Sequence, residues 1–174
     1  RRRHTRYISV TGVQTCALQI SVLFSGRDSE GRAFAESMFI MGGMGARAHK
    51  PGLNCASYPA NSSNLPVEIL EASVPVRVLH KRIRRDSGGR GKFAGGCGQE
   101  FAFEAISDAQ MIVRASHGKL NLPPKGLLGG ADGKTGTILL NEKPIADKTP
   151  VRLKKGDVMQ LVTPGSGGMR KASA

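Results

Sequence analysis

The residues that could do chemistry are spread along the chain rather than gathered. His49, His80 and His117 each lack a His or Glu three or four positions away, the spacing a helical zinc site would use. Gly91-Lys92 suggests a phosphate loop. However, Asp86 stands where G-x-x-x-x-G-K-[ST] needs its first glycine, and Phe93 where a hydroxyl would hold Mg²⁺, so that reading is excluded. Ser166, in Gly165-Ser166-Gly167, lacks the G-x-S-x-G spacing of a nucleophile elbow. Asn61-Ser62-Ser63 matches a glycosylation sequon, but nothing in the sequence marks the chain as secreted. No base–nucleophile pair and no metal constellation is complete. The most distinctive feature is glycine, clustered at residues 42–45, 88–98, 129–130 and 165–168. Glycine in such number implies positive φ or close backbone approach, in plain turns or around a ligand or partner chain; plain turns are the simpler expectation.

The elements that must hold these residues are short. Residues 22–24 and 33–41 read as strands joined by a polar turn at 26–31, and residues 49–63 as an ordered loop. Asn64-Leu65-Pro66-Val67-Glu68 reads as a helix start, with Asn64 as cap, Glu68 as first-turn acid and Val67, Ile69 and Leu70 facing inward. Pro75 ends it. From Val76 the period becomes two, but Leu79 and Ile83 fall on the parity opposite to Val76 and Val78, which predicts a bulge. Residues 86–98 read as successive turns. Residues 101–105, 111–114, 137–140, 151–153 and 158–162 read as strands, with turns at 141–143 and 155–157. The predicted class is mainly β with short helices (α+β) and glycine-rich turns.

The first twenty residues distort the bulk properties. Val10 to Ile20, VTGVQTCALQI, resembles the translation of a short-read library adapter, V-T-G-V-Q-T-C-A-L-P-I, with one mismatch at Gln19. The preceding Arg1-Arg2-Arg3-His4-Thr5-Arg6 matches the same adapter. Residues 1–20 are therefore expected to be non-native and are set aside. The chain carries a formal +13; the set-aside segment holds four arginines and no acid, which leaves +9. A basic surface attracts polyanions nonspecifically. With 5% aromatics and no tryptophan there is little to stack bases, so a nucleic-acid partner is not expected. Cys55 and Cys97 remain after Cys16 is set aside; with no CxxC they suit a reducing compartment. No apolar run approaches the roughly 20 residues that cross a bilayer, and no membrane association is expected.

The ordered motifs resemble one family. Gly42-Gly43-Met44-Gly45-Ala46-Arg47 is similar to the G-G-x-G-A-R segment of hydantoinase B/oxoprolinase subunits. Asn61 to Val76 resembles their N-x-x-N-x-P-x-E-x-x-E-x-x-x-P-V block. Asp86-Ser87-Gly88-Gly89 through Gly98 resembles D-S-G-G-x-G-x-[FW]-x-G-G-x-G, and Pro124 to Gly130 the later P-x-G-L-x-G-G turn. Lys155-Gly156-Asp157 and Thr163 to Gly168 resemble the closing K-x-G-D and T-P-G-G-G-G segments. The chain departs from the family pattern with Pro51-Gly52 for the usual Asp-Gly, and with Met169 after Gly168. Residues 21–168 are thus expected to be the C-terminal region of a larger multi-domain subunit, with 169–174 an atypical tail.

The resemblance implies a cytoplasmic, two-component, ATP-dependent hydrolase of cyclic amides such as 5-oxoproline or a hydantoin. ATP would be used by a hydantoinase A-like partner, and a divalent metal would sit in a missing N-terminal part. This fragment would bind no cofactor itself and have no activity alone. A related ATP-dependent ketone carboxylase is the enzyme alternative; a non-catalytic, basic, β-rich binding module is the alternative from another class. No catalytic residue or metal ligand is assigned. The resemblance places Gly43, Gly45, Arg47, Asn61, Asn64, Glu68, Ser87, Gly88 and Gly89 at a substrate cleft or partner interface.

Overall fold

A computed structural model describes residues 19–28, 30–57, 63–107, 110–116, 122–146 and 149–171. Among the described residues, nine strands form two antiparallel sheets. The first holds β2 (Ala33–Ile40), β1 (Ile20–Arg27), β5 (Gln110–Ser116) and β8 (Pro150–Leu153), in that order. The second runs β3 (Val76–Ile83), β4 (Gln99–Ala105), β9 (Val158–Val162), β6 (Thr137–Leu140) and β7 (Lys143–Pro144). One helix is described, α1 (Val67–Ser73).

Alternation of side chains decides which face of each strand is covered. Ile20, Val22 and Phe24 of β1 join Met111, Val113 and Ala115 of β5 on one inner face. Phe101, Phe103 and Ala105 of β4 join Met159 and Leu161 of β9 on the other. Phe24 meets Phe103 between the sheets, edge to face, with centroids 5.3 Å apart. β1 begins at Ile20, the last residue of the segment set aside on sequence grounds, and Ile20 is fully buried opposite Ile40.

β1 also runs through Gly26 to Arg27, so the first turn is tighter than the expected 26–31. The Asp28 carboxylate makes it possible: it accepts the N–H groups of Glu30 and Arg32, both at 2.9 Å, and Gly31 sits at φ 80°. The bulge expected in β3 is present, with the register shifting between Val78 and His80. β7 went unforeseen because two residues carry no periodicity. Its hairpin places Asn141 and Glu142 at φ 47° and 66°, the two left-handed central positions of a type I′ turn.

Asn141 and Asp157 clamp the turn of the β6–β7 hairpin to the turn that carries the chain from β8 to β9. Asn141 accepts the Val158 N–H at 2.9 Å and donates its amide to Asp157, whose carboxylate also accepts the Lys154 N–H at 2.8 Å. The backbone bond from Lys154, then that from Asn141, holds the Asp157 carboxyl below the usual range. A depressed folded pKa contributes stability above the unfolded value near 3.9, and that stability is lost as pH falls through the folded value. Asp157→Asn should therefore flatten the acid side of a Tm-against-pH profile. The effect should be below about 1 kcal/mol, because the residue is only half-buried and solvent screens its carboxylate. Parallel profiles for both proteins would refute the clamp.

Candidate functional site

Beyond the strand ends lies a layer built from backbone. After β9, residues 163–168 are all buried, although half of them are glycine. Neighbouring glycine-rich segments hydrogen-bond to this thread. Gly43 and Ala46 donate to Pro164 and Gly167, Gly89 donates to Ser166, and Ser166 donates to Gly96. Leu127 donates to Gly168, while Gly165 and Gly168 donate to Lys134 and Ala131.

These glycines are not chiefly turn residues, which corrects the simpler sequence expectation. Positive φ is found at Gly31, Gly129 and Gly156, but not at Gly43, Gly88, Gly89, Gly95, Gly96, Gly165, Gly167 or Gly168. What those positions require is a missing side chain. A Cβ on Gly43 would lie 2.0 Å from the Gly96 carbonyl oxygen, and one on Gly165 would lie 2.0 Å from that of Ser87. Carbonyls of adjacent segments occupy the space where side chains would be.

Hydroxyls pin the layer. The Ser87 hydroxyl donates to the Arg84 carbonyl at 2.7 Å and accepts the Gly98 N–H at 2.9 Å. The Ser166 hydroxyl sits between the carbonyls of Met44 and Gly96. Thr163 donates to the Met41 carbonyl and accepts the Gln99 N–H. All three are fully buried. Ser166, considered above only as a nucleophile, is a structural donor. Thr163 escaped notice because a single buried threonine has no sequence signature. Arg84 adds a further tie, its guanidinium donating to the carbonyls of Thr135 and Thr163; burial lowers its pKa, partly offset by Glu100.

Of the residues singled out by resemblance, Gly43, Ser87, Gly88 and Gly89 come together around Gly95-Gly96 and Ser166. Gly45 is buried in the same segment as Gly43. Arg47 lies at its exposed end, donating to the Pro51 carbonyl of its own turn at 3.0 Å. Asn61 lies outside the described residues, as does His117. Asn64 and Glu68 belong to a separate place, the start of α1.

There the structure corrects the expected cap. Pro66 occupies the N-cap position with no side-chain cap bond, and the buried Oδ1 of Asn64 has no partner. Proline's fixed φ sets the helix entry instead. Ile69 points outward; Leu70 and Val74, one turn apart, face the core with Leu65 packed beside them. The helix covers the free edge of β3. Glu71 accepts the Val78 N–H at 2.6 Å beside the bulge, and Lys81 donates to the Leu65 carbonyl at 2.9 Å. Burial lowers the Lys81 pKa, and Glu68 acts in the opposite sense.

Beside the layer, an open cleft of about 1060 Å³ is lined by Asn54, Arg82, Ile83, Arg85, Asp86, Cys97 and Glu100. Arg82 and Glu100 pair across its wall at 2.7 Å, and Asp86 turns the chain at φ 55°. Among the described residues no group of three or more His, Cys, Asp or Glu could hold a metal ion, so no metal-dependent step follows from them. No described helix is long and apolar enough to cross a membrane.

Comparison with known proteins agrees with the motif order. Over 135 residues the chain is 30% identical to a 5-oxoprolinase of Dictyostelium discoideum, covering 74% of this chain and 10% of that protein. Its fold is like that of the ATP-dependent caprolactamase from Pseudomonas jessenii, with a TM-score of 0.74 at 21% identity over 90% of this chain and 30% of the other. It is also like nucleotide-free acetone carboxylase, with a TM-score of 0.72 at 20% identity over 89% of this chain and 26% of the other. The chain thus spans a tenth to under a third of the length of these proteins. The family model for Hydantoinase B/oxoprolinase matches residues 10–171, and the chain belongs to that family.

Proposed function

We propose that this chain is part of a subunit of an ATP-dependent hydrolase that opens small cyclic amides such as 5-oxoproline or a hydantoin. It would work in the cytoplasm with a hydantoinase A-like partner that uses ATP. The partner would phosphorylate the stable amide oxygen, which makes the carbonyl carbon a better electrophile for water. A divalent metal, where the complete subunit supplies one, would activate that water.

The observation that carries this reading is the coincidence of motif and packing. The G-G-x-G-A-R, D-S-G-G, P-x-G-L-x-G-G and T-P-G segments lie far apart in sequence, yet they pack into one backbone layer. Within it, Gly43, Gly45, Ser87, Gly88 and Gly89 act through the rigidity they give. Arg47 and Glu68, both exposed, are the charged members of the set that another segment or subunit could reach. By the motif alone, Asn61 and Asn64 are assigned the same substrate or partner role as Glu68. The fold likeness to acetone carboxylase favours a second reading, a subunit of a ketone carboxylase.

The test uses a full-length relative with its ATP-using partner. Alanine at the positions matching Arg47, Asn61 and Glu68 should reduce turnover at least tenfold with Tm nearly unchanged. ATP-dependent ring opening of 5-oxoproline and ATP-dependent carboxylation of a ketone would be assayed side by side. Turnover that falls only as far as the loss of folded protein explains would remove these residues from the site.

A further inference from the structure

The two described cysteines lie 42 positions apart in sequence but on touching segments. Gly52 donates its N–H to the Ala94 carbonyl, and Cys55 donates its own to the Cys97 carbonyl, both at 2.9 Å. The Asn54 side-chain oxygen accepts the Cys97 N–H at 2.8 Å, closing the pair of segments from the other side. A backbone bond between the two residues themselves limits how far their Cα atoms can separate. Standard covalent dimensions put that limit at about 6.8 Å, the upper end of the range a disulfide spans, roughly 4.4–6.8 Å. Neither thiol is fully buried, and Cys97 lines the open cleft.

We propose that Cys55 and Cys97 form a reversible redox pair, which a small-molecule disulfide such as oxidised glutathione closes into a cross-link beside the cleft. The two thiols have different parts. The Cys55 thiol donates to the Gly98 carbonyl at 3.3 Å. Burial and the neighbouring Cys97 push its pKa up to about 11, so near neutral pH it stays a thiol. Cys97, reached through the cleft, attacks first.

Its thiolate displaces one glutathione thiolate and forms a Cys97–glutathione mixed disulfide. Cys55 then loses its proton to solvent and attacks the Cys97 sulfur, releasing the second glutathione as a thiolate that takes up a proton. Two cysteine thiols are oxidised to one disulfide, and one glutathione disulfide is reduced to two thiols. The bridge ties the segment at 52–55 to the segment at 94–98, and it replaces a thiol on the cleft wall. In a reducing compartment, reversible disulfides of this kind serve as sensors rather than staples.

The test uses the whole chain carrying Cys16→Ser, so that Cys55 and Cys97 are the only thiols. After native incubation with oxidised glutathione and an acid quench, intact and peptide mass spectra should show a chain two hydrogens lighter, with Cys55 linked to Cys97. The thiol count should fall from two to none, and dithiothreitol should restore both. Adding Cys55→Ser should instead trap one glutathione on Cys97. A stable glutathione adduct on Cys97 while Cys55 is intact, adducts on both residues, or two thiols surviving would each overturn the proposal. Because the readout is a bond and not turnover, its failure leaves the proposed hydrolase reading untouched.

Discussion

Gly96→Ala is expected to cost about 4 kcal/mol or more and to leave little folded protein. An alanine Cβ there would lie 1.9 Å from the Leu53 carbonyl oxygen and 2.6 Å from its carbon, and both are backbone atoms that cannot rotate away. Gly96 also donates to Met44, while its carbonyl accepts both the N–H and the hydroxyl of Ser166. Moving either segment by the ångström or more that a methyl needs would therefore break several buried hydrogen bonds together. Each leaves unsatisfied groups costing about 1–3 kcal/mol, against a total stability of roughly 5–15 kcal/mol for a domain. Gly31→Ala is the control. A Cβ there meets nothing within 4 Å, and only the φ of 80° is strained, at a cost of about 1–2 kcal/mol. The measurement is the urea midpoint of each variant. If Gly96→Ala unfolds no earlier than Gly31→Ala, the layer is looser than the backbone contacts state.

That layer also marks where the sequence stopped being legible. The mainly β character was readable because Phe101, Phe103 and Ala105 alternate with Glu100 and Glu104 along β4, and because parity fails at Leu79 where the bulge lies. Glycine gives no such signal. One letter serves two needs, positive φ at Gly156 and a missing side chain at Gly165, and nothing adjacent in sequence separates them. Partners such as Gly43 and Gly96 meet through backbone atoms, which have no residue-specific pattern. Family resemblance could assemble the motifs in order, but only the packing shows that Gly43, Ser87, Gly88 and Gly89 are neighbours. The Asn64 cap failed for a local reason: Pro66, two positions later, takes the cap position and fixes the backbone there. Glu71, which serves the bulged edge of β3, could be found only once the bulge and the helix were seen side by side.

At the other end of the chain the adapter resemblance and the packing meet at one residue. Ile20 is the last residue of the segment expected to be non-native, yet it is fully buried and pairs with Ile40 at the start of β1. The two facts are compatible. This position on an inner sheet face asks only for an apolar, preferably β-branched side chain of suitable volume, whatever its origin. Deleting residues 1–18 is therefore expected to leave the urea midpoint unchanged, within about 0.5 kcal/mol, the range of substitutions that touch nothing. Ile20→Ala should cost about 2–5 kcal/mol, because it removes three buried carbons from the inner face opposite Ile40 and leaves a cavity. Ile20→Val, losing one carbon, should cost about 0.5–1.5 kcal/mol. The graded loss distinguishes packing from the accident of a boundary. If Ile20→Ala and the deletion behave alike, β1 takes its support from Val22 onward and Ile20 is a passenger. If instead the deletion is the costly change, residues 1–18 hold the fold and the adapter reading fails.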